Sequence, residues 1–466
     1  MNFDKLFEPI QIGAMELKNR IAMAPMNMAY TDPLGYPGDQ VLAWYATRAR
    51  GGFGLLITEA VMVNPHAWYG GEIMNVSQFT DYRYYRFWGK VLDTIHYYDQ
   101  CKMCIQLSPG WGRQGHPHVT SPEVYPAAPS PVPVHIDLRD LMANKGWETQ
   151  LKKRVSNPSA NAVDFTELIK MSDEEYYSPE NQLALKQMLM GISPELHNIL
   201  WRETPREITI PEIKEMEDRM AIQAEEAFKL GFDAVEIHSP HGYLIHQFLS
   251  PIMNHRVDEY GGSLENRARF LTNIITKIRE KVGRDKPVWC RLSGADLMPG
   301  GATHEDQCQV AAMCKDAGVD AIDISQGSYQ TAGSTFAYAG EGNFTRWAKG
   351  FKEATGLPTI APNFMNPETC IKAMTEDSLD IVSLGRQAIA DPFWPVKVKE
   401  GRIKDIVKCT RCQQCFSTFI FNQWTTCKVN PTAGRERFLP ELWLKGSKLE
   451  SRIAKFTARA KGLPQI

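Results

Sequence analysis

TIPEIKEMEDRMAIQAEEAFKLGFDAVEIHS, residues 209–239, contains a complete helix signal followed at once by a strand signal. Thr209 and Glu212 stand at capping-box spacing, with Pro211 in the first turn. The apolar positions that follow recur at helical intervals until Gly231 supplies the stop. DAVEIHS then reads as a short, apolar, β-branched strand. Outward from this unit the same kind of run recurs as NRIAMAPM, GLLITEAV, CKMCIQLS, PVWCRLSG, DAIDISQG, PTIAPN and DIVSLGR, with helical stretches between. Eight strands alternating with helices predict an α/β chain folded as a (β/α)8 TIM barrel. A doubly wound open sheet alternates similarly, but no strand leads into a G-x-G-x-x-G turn, so it is the weaker reading.

One connection is too long. About 125 residues separate Ser108 from Asp233, against a usual crossover of roughly 30. The stretch from about 134 to 204 is rich in Asn, Ser, Glu and Met and includes the helical pattern SPENQLALKQMLMG. An insertion after strand three projects from the face where barrel active sites sit. It is a candidate active-site lid, with an oligomer contact or a surface loop as the plain alternative.

Composition narrows the partners. The 466 residues are 43% hydrophobic and 23% charged, with a formal net charge of −2. That balance gives no global attraction for nucleic acid or anionic membrane. No apolar run approaches the roughly 18 residues of a membrane span, and the start, MNFDKLFEPIQIG, shows no export signal. A cytoplasmic location is expected, where a tight cysteine group reads as metal-binding rather than disulfide-bonded. From Arg435 onward there are eight Lys/Arg against three Asp/Glu, a basic tail.

Four of the ten cysteines form such a group: Cys409-x2-Cys412-x2-Cys415-x11-Cys427. Three thiolates in one tight loop and a distant fourth suit a [4Fe–4S] cluster. Zinc is the rival, although zinc ribbons prefer two separated Cys-x2-Cys pairs. Cys101 and Cys104 lie in an apolar strand and read as core residues, as do the scattered Cys290, Cys308, Cys314 and Cys370.

Polar residues gather where the strands run out: Gln106, then His238, His241 and Tyr243, then Arg291. A lone buried His is usually a satisfied core residue. Two His and a Tyr at one strand end can instead converge on a ligand oxygen at the barrel mouth. Asn363, Gly385 and Arg386 follow strands seven and eight, whose loops commonly bind phosphate in such barrels, and a backbone amide beside a guanidinium suits a phosphomonoester.

The stretches LFEPIQIGAMELKNRIAMAPM (6–26), EIHSPHGYLIHQFLSPIMNHRVDEYGGSLENRARF (236–270) and DIVSLGRQAIADPFWPVK (380–397), followed by the Cys group, resemble the old yellow enzyme superfamily. More narrowly, they resemble its iron–sulfur branch, which includes dienoyl-CoA reductases and trimethylamine dehydrogenase. The likeness runs over roughly 1–435, interrupted by the insertion. It implies FMN at the barrel mouth, with Ala24, Pro25 and Met26 against the isoalloxazine and Gln106 on its pyrimidine edge. Arg291 would favour the anionic reduced flavin. His238 and His241 match the pair that bonds the substrate carbonyl oxygen, and Tyr243 matches the proton donor.

The departures from the family are specific. Asn363-Phe364 replaces a Gly-Arg after strand seven, so only the Gly385–Arg386 half of the phosphate site is matched. Asn27 stands where some relatives have Cys, which excludes a covalent flavin bond through that side chain. Ala60 replaces the aromatic that helps cradle a methylated cation, and Gln330 falls near a position where dienoyl-CoA reductases use a His acid.

Those relatives continue through two nucleotide-binding domains after the cluster, whereas about 40 residues remain here and no Gly-rich dinucleotide turn occurs. The resemblance then implies residues 1–400 as the FMN barrel and 401–466 as the [4Fe–4S] segment with its basic tail. Electrons would pass through the cluster to or from a separate ferredoxin, electron-transfer flavoprotein or diaphorase subunit, within an oligomer or multi-subunit complex. The implied activity is an ene-reductase that saturates a C=C bond conjugated to a carbonyl. The alternatives are a dehydrogenase oxidising an amine or saturated carbonyl compound, and a non-catalytic electron-relay subunit.

Overall fold

The protein is described by a computed structural model over residues 2–32, 35–63, 82–99, 101–115, 126–134, 137–142, 170–192, 204–331, 340–420 and 424–443. Each of the eight apolar runs forms a strand: β1 (Ile21–Met23), β2 (Leu55–Met62), β3 (Lys102–Ser108), β4 (Ala234–His238), β5 (Val288–Ser293), β6 (Ile322–Ser325), β7 (Thr359–Pro362) and β8 (Ile381–Leu384). They pair in parallel in chain order, and β8 closes on β1 through Val382↔Ile21 and Leu384↔Met23. This is a (β/α)8 barrel. Its strands are covered on both sides, by the filled interior and by the outer helices, so they read as continuous apolar runs. Every residue of β5 is buried.

The helix α3 (Ile210–Leu230), counted after α1 (Asp39–Arg50) and α2 (Tyr82–Asp99), begins and ends as its sequence dictates. The Thr209 side chain accepts from the Glu212 amide, Glu212 returns a bond to the Thr209 N–H, and Gly231 closes the helix with φ 112°. Left-handed backbone of this kind is cheap for glycine alone.

A two-stranded hairpin, Ile10–Ile12 against Met15–Leu17, seals the N-terminal end of the barrel. Ile12, Met15 and Leu17 pack against Ala22, Leu55, Ala234 and Trp289 in the inner core. The C-terminal end is left as the mouth. Around it, the stretch NHRVDEYGG (254–262) has a structural task. Asn254 donates to the Phe248 and Tyr260 carbonyls, both at 2.8 Å, and Arg256 bonds the Ile208 carbonyl at 2.7 Å and Asp258 at 2.6 Å. A side chain at Gly261 would collide with the Arg256 carbonyl.

Most of the 134–204 insertion lies outside the described residues, as does the tail beyond Trp443. The described parts include helices over Leu138–Met142, Asp173–Tyr176 and Pro179–Ile192, the last matching SPENQLALKQMLMG. Asp137 N–H donates to the Gln330 carbonyl at 2.8 Å, tying this element to the loop after β6.

The segment 424–443 packs on α1. Arg48 and Glu436 are both fully buried and face each other at 3.3 Å. Gln40 donates to the Gly434 carbonyl at 3.0 Å, and the Tyr30 hydroxyl donates to the Thr425 carbonyl at 2.7 Å. No helix among the described residues is long and apolar enough to cross a membrane.

Candidate active site

A cavity of about 240 Å³ opens at the barrel mouth. Every residue named above for flavin or substrate lines it: Ala24, Pro25, Met26 and Asn27 after β1, Ala60 on β2, Gln106 on β3, His238 at the end of β4 with His241 and Tyr243 after it, Arg291 on β5, Asn363 after β7, and Gly385 and Arg386 after β8. A register shift in β2 between Ile57 and Ala60 brings Ala60 opposite Gln106, the kind of bulge that re-aims a strand beside a site.

His238 and His241 lie with ring centroids 5.2 Å apart, and Tyr243 stands 5.1 Å from His238. Both ring nitrogens of His238 are buried without a hydrogen-bond partner among the described residues. Burying polar groups without partners is costly, so such atoms mark where a ligand supplies the missing bond. His241 Nε2 lies 2.5 Å from Ser325 Oγ. Burial, aided by the Arg291 charge, holds both imidazoles well below the ordinary histidine value, so they are neutral at neutral pH. Tyr243 packs edge-on against Trp111, and its hydroxyl is 2.8 Å from that of Tyr329, which is half-buried.

Below the mouth, Arg291 Nε lies 3.2 Å from Asp323 Oδ2. Glu236 accepts from Gln106 Nε2 at 2.5 Å and from Trp289 Nε1 at 2.6 Å. Burial pushes Asp323 well above the carboxylate range, reinforced by Glu236 and opposed by Arg291, and burial also raises Glu236.

The mouth fits an FMN on its own features. Arg386 Nη1 is buried without a hydrogen-bond partner among the described residues, as an anion-binding guanidinium would be. A Cβ at Gly385 would fill space against Met26 Sδ and Ala24 Cβ, at 3.5 and 3.9 Å. Asn363 adopts φ 78°, a left-handed conformation that asparagine tolerates in place of glycine, while its amide donates to the Gly340 carbonyl at 2.7 Å. Phe364 packs in the core and also lines the cavity.

The four cysteines line one small adjoining cavity. Among the described residues no three His, Cys, Asp or Glu side chains are poised around a single ion. The Cys415 thiol is pushed up to about 12 by burial, with Arg386 opposing and the other three cysteines reinforcing. Arg411 N–H points at Cys409 Sγ, 3.4 Å away. Arg386, Ile389, Cys409, Gln413 and Cys415 line both cavities and form the wall between them.

Tyr329 and Ser325 were not anticipated. Ser325 ends β6, and its position at a strand terminus was the available signal; Tyr329 lies in a turn with no periodicity to mark it.

A barrel whose mouth gathers these groups is the architecture of a flavin-binding family. Residues 5–405 match the NADH:flavin oxidoreductase / NADH oxidase family, and the chain belongs to that family, within the old yellow enzyme superfamily. The family binds FMN. The chain is 32% identical to the NADH oxidase of Thermoanaerobacter brockii, over 95% of this chain and 58% of that protein. It is 28% identical to the cinnamate reductase of Clostridium sporogenes, over 93% and 58%. Among solved structures, 2-naphthoyl-CoA reductase in complex with 2-naphthoyl-CoA superposes with a TM-score of 0.75 at 27% identity, covering 94% of this chain and 58% of that one. The chain thus spans a little over half the length of each.

Proposed function

We propose that this chain is an FMN- and [4Fe–4S]-dependent ene-reductase acting on a C=C bond conjugated to a carbonyl, with electrons exchanged through the cluster with a separate redox protein. The observation that carries this reading is His238, whose two unpartnered ring nitrogens line the same cavity as His241 and the Tyr243 hydroxyl. Bound FMN would supply hydride to the β-carbon of the substrate, held by Gln106, Arg291, Gly385, Arg386 and the Ala24–Asn27 turn. His238 and His241 bind the carbonyl oxygen as neutral donors and stabilise the enolate charge that develops there. Tyr243 gives its hydroxyl proton to the α-carbon, and Tyr329, bonded to it and reaching toward solvent, returns one. A relative named for cinnamate and a neighbour named for 2-naphthoyl-CoA, both reductases of conjugated systems, agree with this substrate class.

Cys409, Cys412, Cys415 and Cys427 would hold the cluster, which would supply single-electron transfer. The shared wall of Arg386, Cys409 and Cys415 supports a relay from outside to the flavin pocket. Residues 1–400 then form the FMN barrel, about 134–204 a lid over it, and 401–466 the cluster segment and basic tail. Thiolates in this number call for a reducing compartment such as the cytoplasm. Ala60 offers no aromatic face for a methylated cation, which argues against amine oxidation.

The test is an anaerobic assay with reduced viologen as donor against an enone panel, run beside methylated amines with ferricenium as acceptor. Flavin reoxidation by an enone is expected. Reduction of oxidised flavin by an amine, with no enone active, would replace this reading by a dehydrogenase.

A further inference from the structure

His246 and Asp296 have no part in the reading so far, yet both are fully buried and joined beside the site. His246 lies in the short helix Leu244–Leu249 that follows the site turn; Asp296 lies three residues past the end of β5. His246 Nε2 is 2.7 Å from Asp296 Oδ1. Gly242 N–H donates to His246 Nδ1 at 2.6 Å. Asp296 Oδ2 accepts from Ser250 Oγ at 2.5 Å and from Ala302 N–H at 2.9 Å. A nitrogen that accepts cannot carry the proton, so the imidazole proton sits on Nε2 and is donated to Asp296. Burial alone would raise the Asp296 carboxyl, but the facing His246 and the bonds from Ser250 and Ala302 outweigh it and hold the group below its ordinary value.

Gly242 is the link between His241 and Tyr243. Its φ is 77° and that of His241 is 67°, two successive left-handed residues, of which the histidine pays a steric penalty. A side chain at Gly242 would strike Gln114. The carbonyls of this turn are tied by Gln114, which donates to His241 O at 2.8 Å, and by Gln247, which donates to Gly242 O at 2.7 Å. The N–H of the turn is tied by His246.

We propose that Asp296 and His246 are positioning residues: the carboxylate selects the imidazole tautomer that accepts from Gly242 N–H, and so holds the turn that presents His241 and Tyr243 to the ligand. This rests on the reading of His241 and Tyr243 as ligand-holding groups.

Asp296→Asn isolates the effect because it barely changes shape. Ala302 N–H requires the amide oxygen at the Oδ2 position, which leaves the amide NH₂ facing His246. The imidazole must then accept at Nε2 and carry its proton on Nδ1, aimed at Gly242 N–H. Two donors meeting at that separation force the turn to move.

The experiment titrates the holoprotein with a phenolate ligand, whose oxygen would occupy the carbonyl position, following its charge-transfer band with flavin. Asp296→Asn should weaken binding tenfold or more with flavin content unchanged. Adding His246→Asn should restore binding to within about threefold of the unsubstituted protein, since the Asn oxygen falls where Nδ1 was and accepts from Gly242 again. A merely structural pair would make the double variant worse than the single, and that result, or unaltered binding in Asp296→Asn, would overturn the proposal. Should Asp296→Asn not accumulate, His246→Asn against His246→Leu decides: the first should bind within threefold and the second tenfold more weakly, and equal binding would overturn it. The ring ¹⁵N shifts of His246 report the tautomer without ligand. A protonated Nδ1 in the unsubstituted protein refutes the inference, whereas wild-type phenolate binding by His238→Ala/His241→Ala refutes the reading of the site instead.

Discussion

Removing the charge of Glu436 should loosen the C-terminal segment 424–443 from the barrel without unfolding the barrel. Glu436 and Arg48 are both fully buried, yet they meet through one bond at 3.3 Å. Arg48 Nε and Nη2 and Glu436 Oε2 lack hydrogen-bond partners among the described residues. Arg48 is further held by the Trp44 carbonyl at 2.9 Å, and burial pulls its value down to about 10 against the opposing pull of Glu436. Breaking a buried pair from one side strands the other charge and costs about 3–5 kcal/mol. Glu436→Gln keeps an acceptor for Arg48 and belongs at the lower end, about 3 kcal/mol; Glu436→Leu belongs at the upper end. At about 1.4 kcal/mol per factor of ten, these costs predict amide hydrogen exchange around 425–439 faster by roughly two to four powers of ten. The amides of β3, Lys102–Ser108, serve as the control and should keep their rates. Because the pair is poorly bonded, Arg48→Met with Glu436→Leu should recover most or all of the loss. Exchange within threefold of the unsubstituted protein in Glu436→Gln would refute this reasoning, as would a double variant no better than the worse single one.

Other outcomes follow from the same geometry. His238 and His241 have folded values well below the unfolded one near 6.5, so their contribution to stability is fully present above that pH. As pH falls below it the unfolded chain takes up protons that the folded chain refuses, and stability should drop by up to about 1.4 kcal/mol per pH unit for each ring; denaturation of a His238→Asn/His241→Asn variant between pH 6.5 and 5 should show a correspondingly flatter dependence. Tyr243→Phe should leave flavin reduction intact and slow reoxidation by an enone about 10²–10⁴-fold, while Tyr329→Phe, which removes one hydrogen bond, should slow it only about fivefold; stopped-flow traces of the oxidative half-reaction distinguish the two. Cys427→Ser should strip iron from anaerobically purified protein while FMN, held by the barrel, stays bound; metal and flavin analysis checks both, and stoichiometric zinc in the unsubstituted protein would remove the cluster from the proposal.

The barrel could be read from local chemistry because its elements are locally determined. Thr209, Glu212 and Gly231 dictate where α3 begins and ends without reference to any distant residue, and a strand buried on both faces declares itself by an unbroken apolar run. Strand ends in such a barrel share one rim, so naming His238, Gln106 and Arg291 from separate runs was already a statement about one place. What stayed hidden depends on distant pairing. Arg48 and Glu436 are 388 positions apart, and either alone looks like a solvated charge. Asp296 reads as a loop residue until the fold brings His246 against it. Tyr329 enters the site by the path of a turn, which no periodicity announces. The matched motif around EYGGSLENRARF carries the family resemblance through residues that brace the rim: Arg267 donates to the Leu249 carbonyl at 3.0 Å and Arg269 to the Glu259 carbonyl at 2.6 Å.

The hairpin plug at the bottom of the barrel has a kinetic consequence. Ile12, Met15 and Leu17 close the end of the barrel opposite the mouth, so among the described residues the mouth is the route by which a small molecule reaches His238. The wall shared by Arg386, Cys409 and Cys415 is where, under the proposed function, electrons would cross between the cysteine group and the mouth. Under that proposal molecular and electronic traffic are separated, and a ligand resting over His238 need not leave before the site is recharged.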